Sequence, residues 1–174
     1  MDRKFLIGAI IATLLILGGG GWLISTQGAK DQAKLSKPLM GETIADQGRN
    51  HVPDGTKVDY NSNPPTSGPH YTRPQPGGIY DKPVPDGNLI HSLEHGAVIL
   101  SYKSDLPTND VDRLKQIFNS ASVSKKIMVP RDTLDVPVAL TSWGRLLKLQ
   151  TIDDAKIKEF LETNEDRGPE KAPL

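Results

Sequence analysis

Apolar residues follow distinct patterns along the chain, separated by polar and turn-rich stretches. Residues 5–24 carry no charged side chain, and a helix of that length, at about 1.5 Å per residue, spans roughly the 30 Å hydrocarbon core of a bilayer. Residues 97–102 (AVILSY), 126–131 (KIMVPR) and 136–142 (VPVALTS) are short, apolar and partly β-branched. They predict three strands, with Pro130 and Pro137 putting the strand ends at a sheet edge or outside the ladder. After Pro107 and Thr108, the residues Val111, Leu114, Ile117, Phe118 and Ala121 recur on one helical face, which predicts an amphipathic helix of three to four turns. A second apolar stripe, Ile157, Phe160 and Leu161, follows Thr151 and Asp154. Those two residues resemble a capping box with Asp in place of Glu, so a further helix is expected over about 152–163. Trp143-Gly144 closes the third strand, and the pattern of residues 145–150 fits strand or helix equally.

Between residues 48 and 88 no long regular element is possible. Pro53, Pro64, Pro65, Pro69, Pro74, Pro76, Pro83 and Pro85 recur among glycines, fixing φ and removing donors. Short strands are expected at 57–60 and 78–80. A loop of that length inside a domain is disordered or functional, and Tyr60, Tyr71 and Tyr80 offer apolar surface that favours order. A short helix over 89–95 then fits Asn88 as N-cap and Gly96 as the C-terminal stop. The sum is an α+β chain: an N-terminal transmembrane helix, a long Pro- and Gly-rich structured loop region, then a small mixed or antiparallel sheet with two amphipathic helices on one face.

Charge and composition refine the organisation. Arg3 and Lys4 precede the apolar run and Trp22 lies near its far end, so the short leading side is expected in the cytoplasm and the rest outside it. A cleaved signal peptide is the rival reading and exports the same domain. The expected divisions are 1–25 anchor or signal sequence, 26–46 polar juxtamembrane stalk, 47–166 a single extracytoplasmic domain, and 167–174 a charged surface tail. Lys and Arg total 21, as do Asp and Glu, and no basic run interleaves with aromatics, so nucleic acid is not an expected partner. The membrane is the expected partner through the N-terminal helix. The chain has no cysteine, which excludes disulfides and thiolate metal sites.

All four histidines, His51, His70, His91 and His95, fall within residues 51–95. Imidazole is the commonest protein metal ligand. On a helix His91 and His95 share a face and can chelate one ion, whereas on a strand they stand about 13 Å apart. His51 and His70 are the further candidates, and a buried Glu94 requires a cationic or metal partner. A thiolate-free, imidazole-rich set suits a divalent transition metal such as zinc or copper. The same rings could instead satisfy the backbone of an irregular loop, leaving a structural or protein-interaction module. Residues 91–95 also match H-x-x-E-H, the inverted zinc-protease pattern with Glu94 as base, which makes a metal-dependent hydrolase a third reading. Ser67 lacks a strand-turn-helix elbow and reads as a turn residue. Arg49, Asp54, Arg73 and Asp86 are turn or surface residues that could line a site.

The strings GRNHVPDG, PPTSGPHY and HSLEHGAVILSY, with the later Ser142-Trp143-Gly144, resemble the domain-of-unknown-function 3105 family over about residues 46–169. The resemblance implies a membrane-anchored or exported single domain with a three-part histidine signature. It implies no activity.

Overall fold

The computed structural model describes residues 35–174. The expected anchor and the first part of the expected stalk lie outside the described residues, among which no helix is long and apolar enough to cross a membrane. Residues 39–174 form one unit.

The chain makes six strands and three helices in this unit. They are β1 (Glu42–Thr43), β2 (Gly78–Ile79), α1 (Asp86–Glu94), β3 (Val98–Lys103), α2 (Thr108–Ser120), β4 (Lys126–Arg131), β5 (Val138–Ser142), β6 (Arg145–Leu149) and α3 (Asp154–Asn164). The strands form one mixed sheet in the order β1-β6-β5-β3-β4-β2. β3 and β4 are parallel, with α2 as their crossover, and β5 and β6 are an antiparallel hairpin turning through Trp143 and Gly144. The ambiguous stretch after Gly144 is therefore a strand. Its pairing with β5 supplies the ladder bonds that its periodicity alone could not assign.

Period-two alternation along the central strands builds a core on each face. Val98, Leu100, Met128, Val138 and Leu140 point toward α2 and α3, where they meet Leu114, Phe118 and Phe160. Ile99, Ile127 and Val129 point the other way and pack against Leu89 and Leu93 of α1. The two longer helices thus share one face, as their stripes predict, and the short helix that bears His91 covers the other.

Several local expectations are corrected. Residues 57–60 form no strand. The polar stretch expected as stalk contributes β1, whose Glu42 and Thr43 pair with Leu146 and Arg145. Beside it, Met40 exchanges backbone hydrogen bonds with the Asn164 amide. The cap of α3 is Asp153, which accepts from the Lys156 amide, rather than Thr151. Helix α1 begins two residues before Asn88, with Pro85 at the N-cap, because the Asn88 side chain is committed to the Arg73 carbonyl. Pro130 sits inside the β3–β4 ladder opposite Tyr102. This meets the expectation of a sheet edge, because β2 reaches only to the register of Met128 and β4 has no neighbour on its other side there among the described residues.

Candidate metal centre

Three segments bring the histidines together. Residues 48–52 and 68–70 run side by side as a short parallel ribbon: the His70 amide donates to Asn50 O at 3.0 Å and the Val52 amide to His70 O at 2.8 Å. The ribbon places the His51 and His70 rings 4.9 Å apart. The chain then passes along α1, where the Tyr71 amide donates to Gly87 O, the Gln75 amide to Ser92 Oγ, and the Asn88 side chain to Arg73 O. Tyr71 lies so close to the helix that a Cβ at position 87 would be 2.6 Å from its ring. Glycine there sets the distance between ribbon and helix. At the far end of α1, Gly96 at φ +88° stops the helix as expected, leaving His91 and Glu94 in its last turn and His95 at the C-cap.

His51, His70, His91 and Glu94 each present a ligand-type atom, and these four atoms lie within 4.8 Å of one another. His95 stands outside that set but touches it, with its Nε2 3.0 Å from His91 Nε2. His70, His91, Glu94 and His95 are buried and His51 is exposed. The cluster is thus open to solvent at one corner.

The second ring nitrogen of each buried histidine determines what the first can do. His70 Nδ1 lies 2.8 Å from Gly68 O, His91 Nδ1 2.6 Å from Tyr71 O, and His95 Nδ1 2.7 Å from Pro173 O. A carbonyl only accepts, so each Nδ1 carries a proton, and a ring in its neutral form keeps a bare lone pair on Nε2. These pairs point at other acceptors. His70 Nε2 is enclosed, with Glu94 Oε2 3.0 Å away as its polar neighbour. His91 Nε2 faces His95 Nε2. Four acceptors converge, and only a cation or added protons can make that favourable. Protonation of His91 is opposed: burial pushes its pKa down, as do the neighbouring His95, His70 and His51 rings, against the Tyr71 carbonyl bond that raises it.

Of the other polar candidates, Arg49 places Nε 4.0 Å from Glu94 Oε1 at the exposed rim. Asp86 is remote in role, making two hydrogen bonds to Arg131 at the start of α1. Ser67 accepts from the Gln47 amide, a loop contact. Three participants left no trace in the sequence, Gly68 O, Tyr71 O and Pro173 O, since backbone carbonyls have no residue signature. The C-terminal segment is also no loose surface tail: the Asp166 amide donates to Gly96 O and the Glu170 amide to Glu94 O.

A family model described as "Protein of unknown function (DUF3105)" matches residues 51–173. The chain belongs to this family. The match takes in the PPTSGPHY and HSLEHGAVILSY strings, the first string from His51 onward, every residue of the cluster, and the Pro173 carbonyl. No curated protein and no solved structure matches the chain.

Proposed function

We propose that this domain-of-unknown-function 3105 protein is a metal-binding module displayed outside the cytoplasm by its N-terminal apolar segment. His51, His70, His91 and Glu94 are the ligands of one divalent transition metal, zinc or copper. The observation that carries the reading is the convergence of bare Nε2 atoms on a buried carboxylate, with every buried Nδ1 already bonded to a carbonyl. Such an outer bond fixes the tautomer and raises the basicity of the ligating nitrogen. Donors on one ion at about 2.1 Å stand at most about 4.2 Å apart, so a set spread over as much as 4.8 Å closes by about half an ångström on binding.

The structural alternative accounts for half of each ring. Loop carbonyls do receive the Nδ1 protons, but a purely structural role leaves the inward Nε2 atoms opposed to one another. The hydrolase alternative needs Glu94 free as a base, and Glu94 lies among the donors instead. An accessory, binding role therefore has the better support.

The test is metal content of the untagged full-length chain, measured by mass spectrometry after reconstitution with zinc and with copper. Near-stoichiometric metal in the wild type, lost in a folded His70→Ala variant, is expected. No metal in the wild type under either condition would retire the reading. For the location, protease added outside sealed right-side-out vesicles should digest the domain, and protection would refute export.

A further inference from the structure

His95 and the C-terminal segment remain unexplained by a four-ligand centre. His91 and His95 are one turn apart on α1, with Nε2 atoms 3.0 Å from each other. Two donors about 2.1 Å from one ion are about 3.0 Å apart when they subtend a right angle and about 3.4 Å at the tetrahedral angle. The observed spacing is that of neighbouring ligands on a five- or six-coordinate ion. His95 nevertheless lies outside the 4.8 Å set, so it reaches the ion only by a small rotation.

That rotation is controlled by the end of the chain. After α3, residues 165–173 run back across the C-terminus of α1 as a strap. The Glu165 carboxylate fastens its start by accepting from the Lys125 amide. Gly168 passes so close that a Cβ there would lie 2.2 Å from Glu94 O and 2.4 Å from the Gly96 nitrogen. Lys125 Nζ then ties strap to helix, donating to His95 O at 2.9 Å, Ala172 O at 2.9 Å and Asp166 Oδ1 at 3.0 Å. The strap ends with Pro173 O on His95 Nδ1. Glu170 Oε2 is 3.8 Å from His95 Nε2, a pairing that a cation nearby or a proton on the ring makes favourable.

We propose that His95 is an exchangeable fifth ligand of the metal, and that the C-terminal strap presents it through Pro173 O. With the strap in place the ion is closed by protein donors. With it displaced, the ion is left with four protein donors and can take up a small anion such as azide. This rests on the metal reading of the His51, His70, His91 and Glu94 cluster and adds a switchable position to it.

The full-length chain loaded with Co(II) tests this, because four-coordinate Co(II) absorbs visible light several-fold more strongly than five- or six-coordinate Co(II). Wild type, His95→Ala, Lys125→Met and His70→Ala are compared, with folding checked by circular dichroism. The wild type should bind one equivalent with the weak spectrum. His95→Ala should still bind one equivalent, with a several-fold stronger spectrum and roughly 10- to 100-fold weaker affinity. Lys125→Met, which alters no metal donor and removes the three Nζ bonds that hold the end of the strap to the helix, should shift the spectrum the same way, and added azide should bind it more tightly than it binds the wild type. A His95→Ala spectrum and affinity matching wild type would overturn the fifth ligand and leave the four-ligand centre standing. An unchanged Lys125→Met spectrum would overturn the strap, and it remains readable if His95→Ala fails to fold. Absence of Co(II) binding by wild type would remove the centre itself.

Discussion

Adding a single methyl group at Gly87 should disturb a centre to which Gly87 contributes no side chain. In an exposed helix, Gly→Ala gains roughly 1 kcal/mol from helix propensity. Here the new Cβ would lie 2.6, 2.7 and 2.8 Å from Cγ, Cδ1 and Cδ2 of Tyr71. These atoms belong to the base of the ring, so relief requires Tyr71 and its backbone to move as a unit. Overpacking of this kind costs about 1–3 kcal/mol, and the net effect should be a destabilisation of up to about 2 kcal/mol. The Tyr71 backbone carries the carbonyl that holds His91 Nδ1 at 2.6 Å. Metal affinity should therefore fall as well, by the 10- to 100-fold typical of losing an outer partner. A double-mutant cycle with Tyr71→Ala, read by urea unfolding and metal titration, separates the effects. In the Tyr71→Ala background Gly87→Ala should become neutral or stabilising, since the clash is gone and the propensity gain remains. A Gly87→Ala penalty of the same size in both backgrounds would refute the account.

Other measurements probe the scaffold. The Tyr60 hydroxyl donates to Pro69 O, and its pKa is pushed up to about 12 by burial first, then by the charges of Asp86 and Tyr71. The unfolded chain ionises near pH 10 and the folded chain only near pH 12, so stability should be intact below pH 10 and fall between these values; Tyr60→Phe should flatten that limb in chemical unfolding, and an unaltered limb would contradict it. Asp166 titrates below the usual carboxylate range: burial raises it, but the Lys125 hydrogen bond and the charges of Lys125 and Lys171 outweigh that. Its contribution is present above about pH 3.8 and is lost as pH falls through the lowered value, so Asp166→Asn should make acid melting curves shallower. Phe160 is fully buried between α3 and the sheet, and Phe160→Ala should cost about 3–5 kcal/mol in urea unfolding; a cost below 1 kcal/mol would remove it from the core.

How far the sequence disclosed this structure depended on whether local chemistry or distant pairing decided each part. β4 was legible because both its faces are buried and its residues form a continuous apolar run, and α2 because one face is buried and its apolar residues repeat at the helical period. Gly96 was legible because a left-handed residue is the common way to end a helix. β1 was not, since Glu42 and Thr43 are exposed and become a strand only because β6 offers them an edge. The start of α1 was misplaced because Asn88 had a partner 15 residues away in sequence, at Arg73, which outweighed its preference for a cap. The histidines were visible as candidates from their clustering, yet their relation to one another was set by the 48–52 and 68–70 ribbon, whose bonds are all backbone. For the same reason residues 167–174 read as a charged tail, although the Glu170 amide bonds Glu94 O and Pro173 O meets His95 Nδ1.

The placement of the donors explains why so irregular a loop is compatible with a defined centre. His91, Glu94 and His95 ride on a helix whose apolar side, Leu89 and Leu93, is fixed to the sheet by Ile99, Ile127 and Val129. They inherit the rigidity of the core. His70 comes from a segment with no ladder of its own, and its position is fixed instead by both backbone and ring, through Asn50 O and Gly68 O. Ordering each loop residue costs roughly 1–2 kcal/mol of backbone entropy, a cost borne at folding and not when a ligand arrives. His51 differs, being exposed and packed at 4.9 and 5.0 Å against the His70 and His91 rings. It is the donor best able to move, and so the side from which an ion would enter. A His51→Ala variant should therefore slow metal uptake measured by stopped flow more than it speeds release, whereas His70→Ala, removing a donor at the enclosed side, should act chiefly on release. Equal effects on both rates in the two variants would mean that exposure does not decide the order in which the ligands engage.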